Sequence, residues 1–188
     1  MIEGPVEFTA EVDIQRPASD VFPLLDLADP RFRQAQCGAQ VQRIEGEQER
    51  YDVVLEQMDD VVFHFQVLER TAGQRYTIEC AMEPQINALK MAVEAYAIEP
   101  IGEAACRVRL TTSAAFNDDL SDEEIANEIA MMSMAVTQDL EKLAVLAEEG
   151  LDALKALEEE ELTFNVEFGV DFDLEEIDID WDDIEPKQ

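Results

Sequence analysis

Residues 6–26 read VEFTAEVDIQRPASDVFPLLD, and the order of patterns in this stretch decides the fold. Val6, Phe8, Ala10, Val12 and Ile14 alternate with Glu7, Thr9, Glu11 and Asp13, the period of a strand with one buried face. Arg16-Pro17-Ala18-Ser19 breaks the alternation. Ser19 is placed to cap a short helix in which Val21, Phe22 and Leu25 share a face, and Pro23 is tolerable there only in the first turn. Asp29-Pro30 stops that helix, and the segment to Gly38 reads as a second short helix or an irregular connection.

Outward from this opening, six more strands are expected at 40–44, 50–57, 61–69, 75–82, 91–98 and 105–116, separated by short turn signals. Buried faces follow from the alternation: Tyr51, Val53, Leu55; Val61, Phe63, Phe65, Val67; Tyr76, Ile78, Cys80, Met82; and Cys106, Val108, Leu110, Thr112, Ala114. Asp59-Asp60 and Asp118-Asp119 read as turns. Short connections between half-polar strands imply a curved antiparallel meander. Ser121-Asp122-Glu123-Glu124 is a capping box that starts a long helix. Ile125, Ile129, Met132, Val136, Leu140, Leu143 and Ala147 form one apolar stripe as far as Gly150, a length of ~43 Å that would cross a whole sheet. Residues 151–161 continue as a short helical extension. The expected architecture is α+β, a seven-stranded antiparallel sheet with two short helices and a long C-terminal helix.

Composition sets bounds on function. The chain has 188 residues, 13 basic against 45 acidic, and a formal net charge of -32, with 14 of the acids in residues 158–188. Attraction to phosphate backbones or anionic headgroups is opposed, so nucleic acid is not an expected partner. Cys37, Cys80 and Cys106 are odd in number, share no CxxC spacing and sit in mostly apolar surroundings, which speaks against a disulfide framework or a zinc site and for a reducing cytoplasm. No signal-peptide pattern opens the chain, and no stretch approaches ~18 uninterrupted apolar residues.

The strand that runs into Arg16-Pro17-Ala18-Ser19-Asp20-Val21-Phe22-Pro23-Leu24-Leu25-Asp26 resembles the strand, "P-A-x-x-V-[WF]" turn and helix of the Bet v 1-like or START-like (SRPBCC) superfamily. From about Val6 to Glu149 the order of elements is similar to that family's helix-grip fold. The resemblance implies an internal cavity between concave sheet and long helix, used by relatives to carry lipids, sterols, polyketides or quinones and by some to cyclise or dehydrate them. The expected domain is 1–161, followed by an acidic tail at 162–188.

Ligand-facing positions are expected at Tyr51, Phe63, Phe65, Tyr76, Ile78, Val108, Leu110, Thr112, Met132 and Val136, of which Tyr51, Tyr76 and Thr112 would supply polar contacts. His64, the single histidine, alternates onto the face opposite Phe63 and Phe65 and has no carboxylate orienter predicted beside it, so a surface role is expected. GxSxG, phosphate-cradling glycine loops and calcium-loop spacing are absent from the sequence, and no catalytic residue, metal or cofactor is assigned. In the tail, Leu162, Phe164, Val166, Phe168, Val170, Phe172 and Leu174 alternate strictly with polar residues or glycine, a pattern expected to form a strand that pairs with its own sheet, a second copy or a partner protein. Three functions are compatible with these features: binding or carrying an apolar small molecule, a cyclase or aromatase-type reaction on one, or protein interaction through the tail.

Overall fold

The opening alternation becomes β1, Val6–Ile14, with Phe8 and Ile14 buried and Glu7, Thr9, Glu11 and Asp13 exposed. The computed structural model describes residues 4–86 and 88–167, with side chains through Glu160. Strand β1 lies antiparallel to β7, Cys106–Phe116, from Val6 opposite Ala114 to Ile14 opposite Cys106. That register sets Asp13 beside Arg107 and Glu11 beside Arg109 on the outer face, with oxygen–nitrogen contacts of 2.6 and 3.0 Å. Such exposed pairs add little to stability and serve mainly to fix register.

After β1 come α1 (Ala18–Leu25), α2 (Arg33–Gln36), β2 (Gln40–Arg43), β3 (Arg50–Leu55), β4 (Met58–Thr71), β5 (Arg75–Glu83) and β6 (Leu89–Pro100), then β7. The seven strands form one sheet in the order β1-β7-β6-β5-β4-β3-β2, antiparallel at every step. The expected α+β architecture and strand order are present.

Several local expectations are corrected. Helix α1 begins at the Pro17 carbonyl, which accepts from Asp20 and Val21 amides at 2.9 and 3.3 Å, so Ser19 lies inside the helix instead of capping it. Pro23 sits beyond the first turn; with only eight residues in α1, its missing N–H removes one bond just before the helix ends. Asp59 and Asp60 belong to β4, because a two-residue turn at Glu56-Gln57 places Leu55 opposite Met58.

Helix α3, Asp122–Glu149, starts at the capping box: Ser121 Oγ accepts from the Glu124 amide at 3.3 Å, and Glu124 Oε2 accepts from the Ser121 amide at 2.8 Å. Gly150 ends it at φ 94°, a left-handed conformation that costs glycine little. Arg16, from the turn after β1, donates to the carbonyls of Ala147 and Glu148 at 3.0 and 3.2 Å. A cation there also complements the helix dipole. Along α3, Val136, Leu140, Leu143 and Leu146 are buried, whereas Ile125, Ile129 and Met132 are only half-buried. The C-terminal half of the helix therefore closes the core, and the N-terminal half leaves space beneath it.

A compact unit ends at Leu154, which is fully buried in the first turn of α4, Leu151–Glu167. In the separate unit after it, residues 155–167 are helical. The strand expected at 162–174 is not adopted by its first six residues, whose backbone belongs to α4. The run Leu157–Leu162 is leucine and glutamate only, and helix propagates readily from such good formers. Residues 168–174 lie outside the described residues.

Leu143 is fully buried where α3 meets the sheet. Leu143→Ala is expected to lower unfolding stability by about 3 kcal/mol, and Ser121→Ala by about 1 kcal/mol, in urea titrations of the purified protein. Equal and negligible losses would show that α3 does not anchor the fold.

Candidate functional site

The alternation of β6 turns Ala92, Glu94, Tyr96 and Ile98 to the concave face, opposite Ala114, Thr112, Leu110 and Val108 of β7. Beside this face, between the sheet, the end of α1, α2 and the middle of α3, lies a cavity of about 320 Å³. Its walls are mainly apolar. Leu55, Phe63, Phe65, Met82 and Leu89 come from the sheet, and Met132, Ala135 and Val136 from α3. Phe63 and Phe65 face inward yet remain half-buried, and Ala135 is exposed, so the cavity reaches the surface.

One wall is polar. Arg33 of α2 is buried and donates to the Asp139 backbone carbonyl at 2.8 Å and to Asp139 Oδ1. Asp139 reaches this wall because it follows Met132 and Val136 on the same helical stripe, seven and three residues on. The Tyr96 hydroxyl stands 3.1 Å from Asp139 Oδ2 and 3.1 Å from Glu94 Oε2. A tyrosine carries one proton and can donate it to one carboxylate at a time. Both short contacts are satisfied together when Glu94 is protonated and donates to the tyrosine oxygen, which in turn donates to Asp139.

The electrostatics favour that arrangement. Burial, reinforced by the charge of Asp139, pushes the Glu94 carboxyl up to about 7, against the opposing effects of Tyr96 and Arg33. Glu94 keeps accessible surface toward the cavity it lines, while protein atoms surround it elsewhere. Burial likewise raises the Tyr96 hydroxyl well above its ordinary value. For Arg33, burial alone would disfavour the charge, but Asp139, Tyr96 and Glu94 outweigh it and the guanidinium stays protonated. Cys80, also on the wall, is held as a neutral thiol because burial pushes it up to about 12. Two buried oxygens of cavity-lining residues, Thr112 Oγ1 and Gln34 Oε1, have no hydrogen-bond partner among the described residues.

Of the ten expected ligand-facing residues, Phe63, Phe65, Ile78, Leu110, Thr112, Met132 and Val136 line the cavity. Tyr51, Tyr76 and Val108 do not. Val108 is fully buried in the core against β1 and β6. The two tyrosines belong to a second polar group centred on Arg70, which pairs with Asp26 and Glu49 at 2.8 Å each and stands 5.9 Å above the Tyr76 ring. The Tyr51 hydroxyl also lies beside Arg70. Tyr76 accepts from the Leu27 amide at 3.1 Å and packs edge-on against Phe22 with centroids 5.8 Å apart. Helix α1 thus fills this end of the concave face. A bulge between Val67 and Glu69 adds one residue to β4, which brings Arg70 opposite Tyr76 and could not be read from the alternation.

His64 lies on the outer face as expected, but the absence of an orienting carboxylate is corrected. Its Nδ1 is 2.7 Å from Asp52 Oδ1, its cross-strand partner, and its Nε2 is 3.5 Å from Glu83 Oε2. The sheet separates this group from the cavity. Arg33, Glu94, Tyr96 and Asp139 were not foreseen: no face was assigned to β6, and a charge on an apolar stripe reads as an edge position. The available signal was that Asp139 shares helical spacing with Met132 and Val136.

A carboxyl raised by folding stabilises the native state most below its unfolded pKa, and that contribution is lost as pH rises through its folded value. With an unfolded value near 4.5 and a folded one of about 7, the wild type is expected to lose roughly 3 kcal/mol between those limits relative to Glu94→Gln, which has no such proton. Denaturant titrations of both proteins across this range give the comparison. Parallel pH curves would show that Glu94 ionises normally.

No family model and no curated protein matches the sequence. Solved structures do match in fold. Ara h 8.0201 aligns with a TM-score of 0.54 at 11% identity, over 71% of this chain and 93% of its own. DynU16, a protein in the dynemicin biosynthetic locus, aligns at 0.57 and 15% identity, over 78% of this chain and 49% of its own. A protein from Arthrobacter aurescens aligns at 0.56 and 12% identity, over 81% and 95%. At such identities the likeness is one of fold, and it agrees with the strand order and the long C-terminal helix: the chain has the helix-grip fold of the Bet v 1-like proteins.

Proposed function

We propose that this protein binds or carries an apolar small molecule, of lipid, sterol, polyketide or quinone type, in the cavity between the sheet and α3. The observation that carries the reading is the pair Phe63 and Phe65, large aromatic side chains on the concave face that are left half-buried against about 320 Å³ of space. Two phenylalanines in a closed core would be covered, since burying such a side chain contributes about 1.5–3 kcal/mol. The volume falls within the ~300–1,000 Å³ range of small-molecule sites, and a mainly apolar lining with a few convergent polar groups is their usual composition. Met132 adds an adaptable thioether at the more open half of α3.

A second reading, a cyclase or aromatase-type enzyme, is supported by Glu94, a carboxyl that titrates near neutrality beside the Tyr96 hydroxyl on the same wall. Such a group can move a proton at working pH. The occurrence of DynU16 in a biosynthetic locus is compatible with either reading.

The neutral dye Nile red is expected to bind the purified protein with a rise in fluorescence. Met132→Arg, which places a charge on the cavity wall, is expected to weaken binding on the order of tenfold, and His64→Arg, on the outer face, to leave it within about twofold. Equal effects of the two substitutions would overturn the cavity reading. Should a turnover be found, its loss in Glu94→Gln with dye binding intact would favour the enzyme.

A further inference from the structure

The polar wall also bears on what kind of head the ligand carries, an argument that rests on the cavity reading above. Thr112 is 1% exposed, lines the cavity and leaves its hydroxyl oxygen without a partner among the described residues. Its cross-strand neighbour is Glu94. Buried hydroxyls are nearly always hydrogen-bonded, and an orphan on a cavity wall marks where a ligand atom supplies the missing bond. Gln34 Oε1, on the same wall, is a second buried oxygen in that condition.

The charges narrow the choice. Among the described residues lining the cavity Arg33 is the one cation, and its guanidinium is bound by both the carboxylate and the backbone carbonyl of Asp139. A ligand carboxylate would meet Glu94 and Asp139 with no cation free to receive it. An ammonium would need an ionised Glu94 as its counter-charge, and burial with Asp139 nearby opposes that ionisation. The other groups with charge or protons facing Glu94 are Tyr96 from its own strand, Cys80 from β5, and Arg33 and Asp139 from α2 and α3. None supplies an unpaired charge. An uncharged hydroxyl can accept from Thr112 and donate to Glu94 or Gln34 with no charge to desolvate.

We propose that the cavity selects a ligand whose apolar body ends in an uncharged hydroxyl, an alcohol or phenol, seated at the Thr112–Glu94 pair, and that it rejects the carboxylate or ammonium of the same body. The test uses the full chain and three matched amphiphiles, 1-decanol, decanoate and decylamine, each displacing Nile red at about pH 6, where decanoate and decylamine are charged. Decanol is expected to bind on the order of tenfold more tightly than either charged analogue. Thr112→Val should bring the three to within about threefold of one another, each affinity being referred to that variant's own Nile red affinity, and Thr112→Ser, which restores the hydroxyl, should recover the preference. Glu94→Gln should relax the rejection of decanoate specifically, because its amide can donate to an anion. Binding of the three heads within about twofold in the wild type, a charged head binding best, or a preference that survives Thr112→Val would each overturn the proposal. Where Nile red binds and the heads do not differ, this inference alone falls. Where neither the dye nor any amphiphile binds, the cavity reading falls and this inference with it.

Discussion

Arg33 and Asp139 form an ion pair whose guanidinium is almost out of water, and the arrangement of the site depends on it. A guanidinium removed from solvent costs several kcal/mol unless it is paired and its remaining hydrogen-bonding capacity is met. Here it is met from several directions. The guanidinium contacts both the side chain and the main chain of Asp139, which fixes α2 against one turn of α3, and the second carboxylate oxygen of Asp139 reaches Tyr96 on β6. Helix, helix and sheet are thereby joined at one point. Neither charge is dispensable alone: without Arg33, Asp139 would face Glu94 with no counter-charge, and without Asp139 a guanidinium would be buried unpaired.

The two ends of the concave face are treated differently by the chain. At one end α1 inserts Phe22 against Tyr76, whose hydroxyl accepts from the Leu27 amide and whose ring lies under Arg70. At the other end no comparable helix among the described residues covers Phe63 and Phe65, and α3 contributes Met132 and Ala135 in place of its leucines. Filling one end gives α3 an anchor in Val136, Leu140, Leu143 and Leu146, which lets the preceding turns stand over open space without unfolding. Stability and access are thus assigned to different halves of one helix.

Much of this was legible in the sequence. The alternation of Val6–Ile14, the Ser121–Glu124 box and the stripe through Leu140 each rest on a periodicity that the backbone enforces, and each is present in the structure. The apolar part of the cavity wall followed from the same alternation. The polar wall did not, because β6 is apolar on both faces: Met91 and Val93 on one, Ala92 and Ile98 on the other. Binary pattern alone cannot orient such a strand. Glu94 then faces inward against its own polarity, and only its β7 partner and Tyr96 fix that direction. Tyr51 and Tyr76 show the complementary case. Their inward facing was readable, but which end of the face α1 would fill, and where the β4 bulge would bring Arg70, depend on tertiary packing that no local pattern encodes.

The net charge of -32 invites the view that acidity as a whole governs the site. Distance decides otherwise. Charges on the surface are screened over about 8 Å at physiological ionic strength, whereas Asp139 is separated from Glu94 by one hydroxyl with contacts of 3.1 Å on either side. The local quartet therefore sets the protonation of Glu94, and the surface acids act at a different stage: they slow the approach of anions, an effect on association rate that salt abolishes. Both act against an anionic ligand, yet they are physically separable. A rejection that persists at high salt belongs to the cavity wall, because partly buried groups in contact are screened far less than separated surface charges.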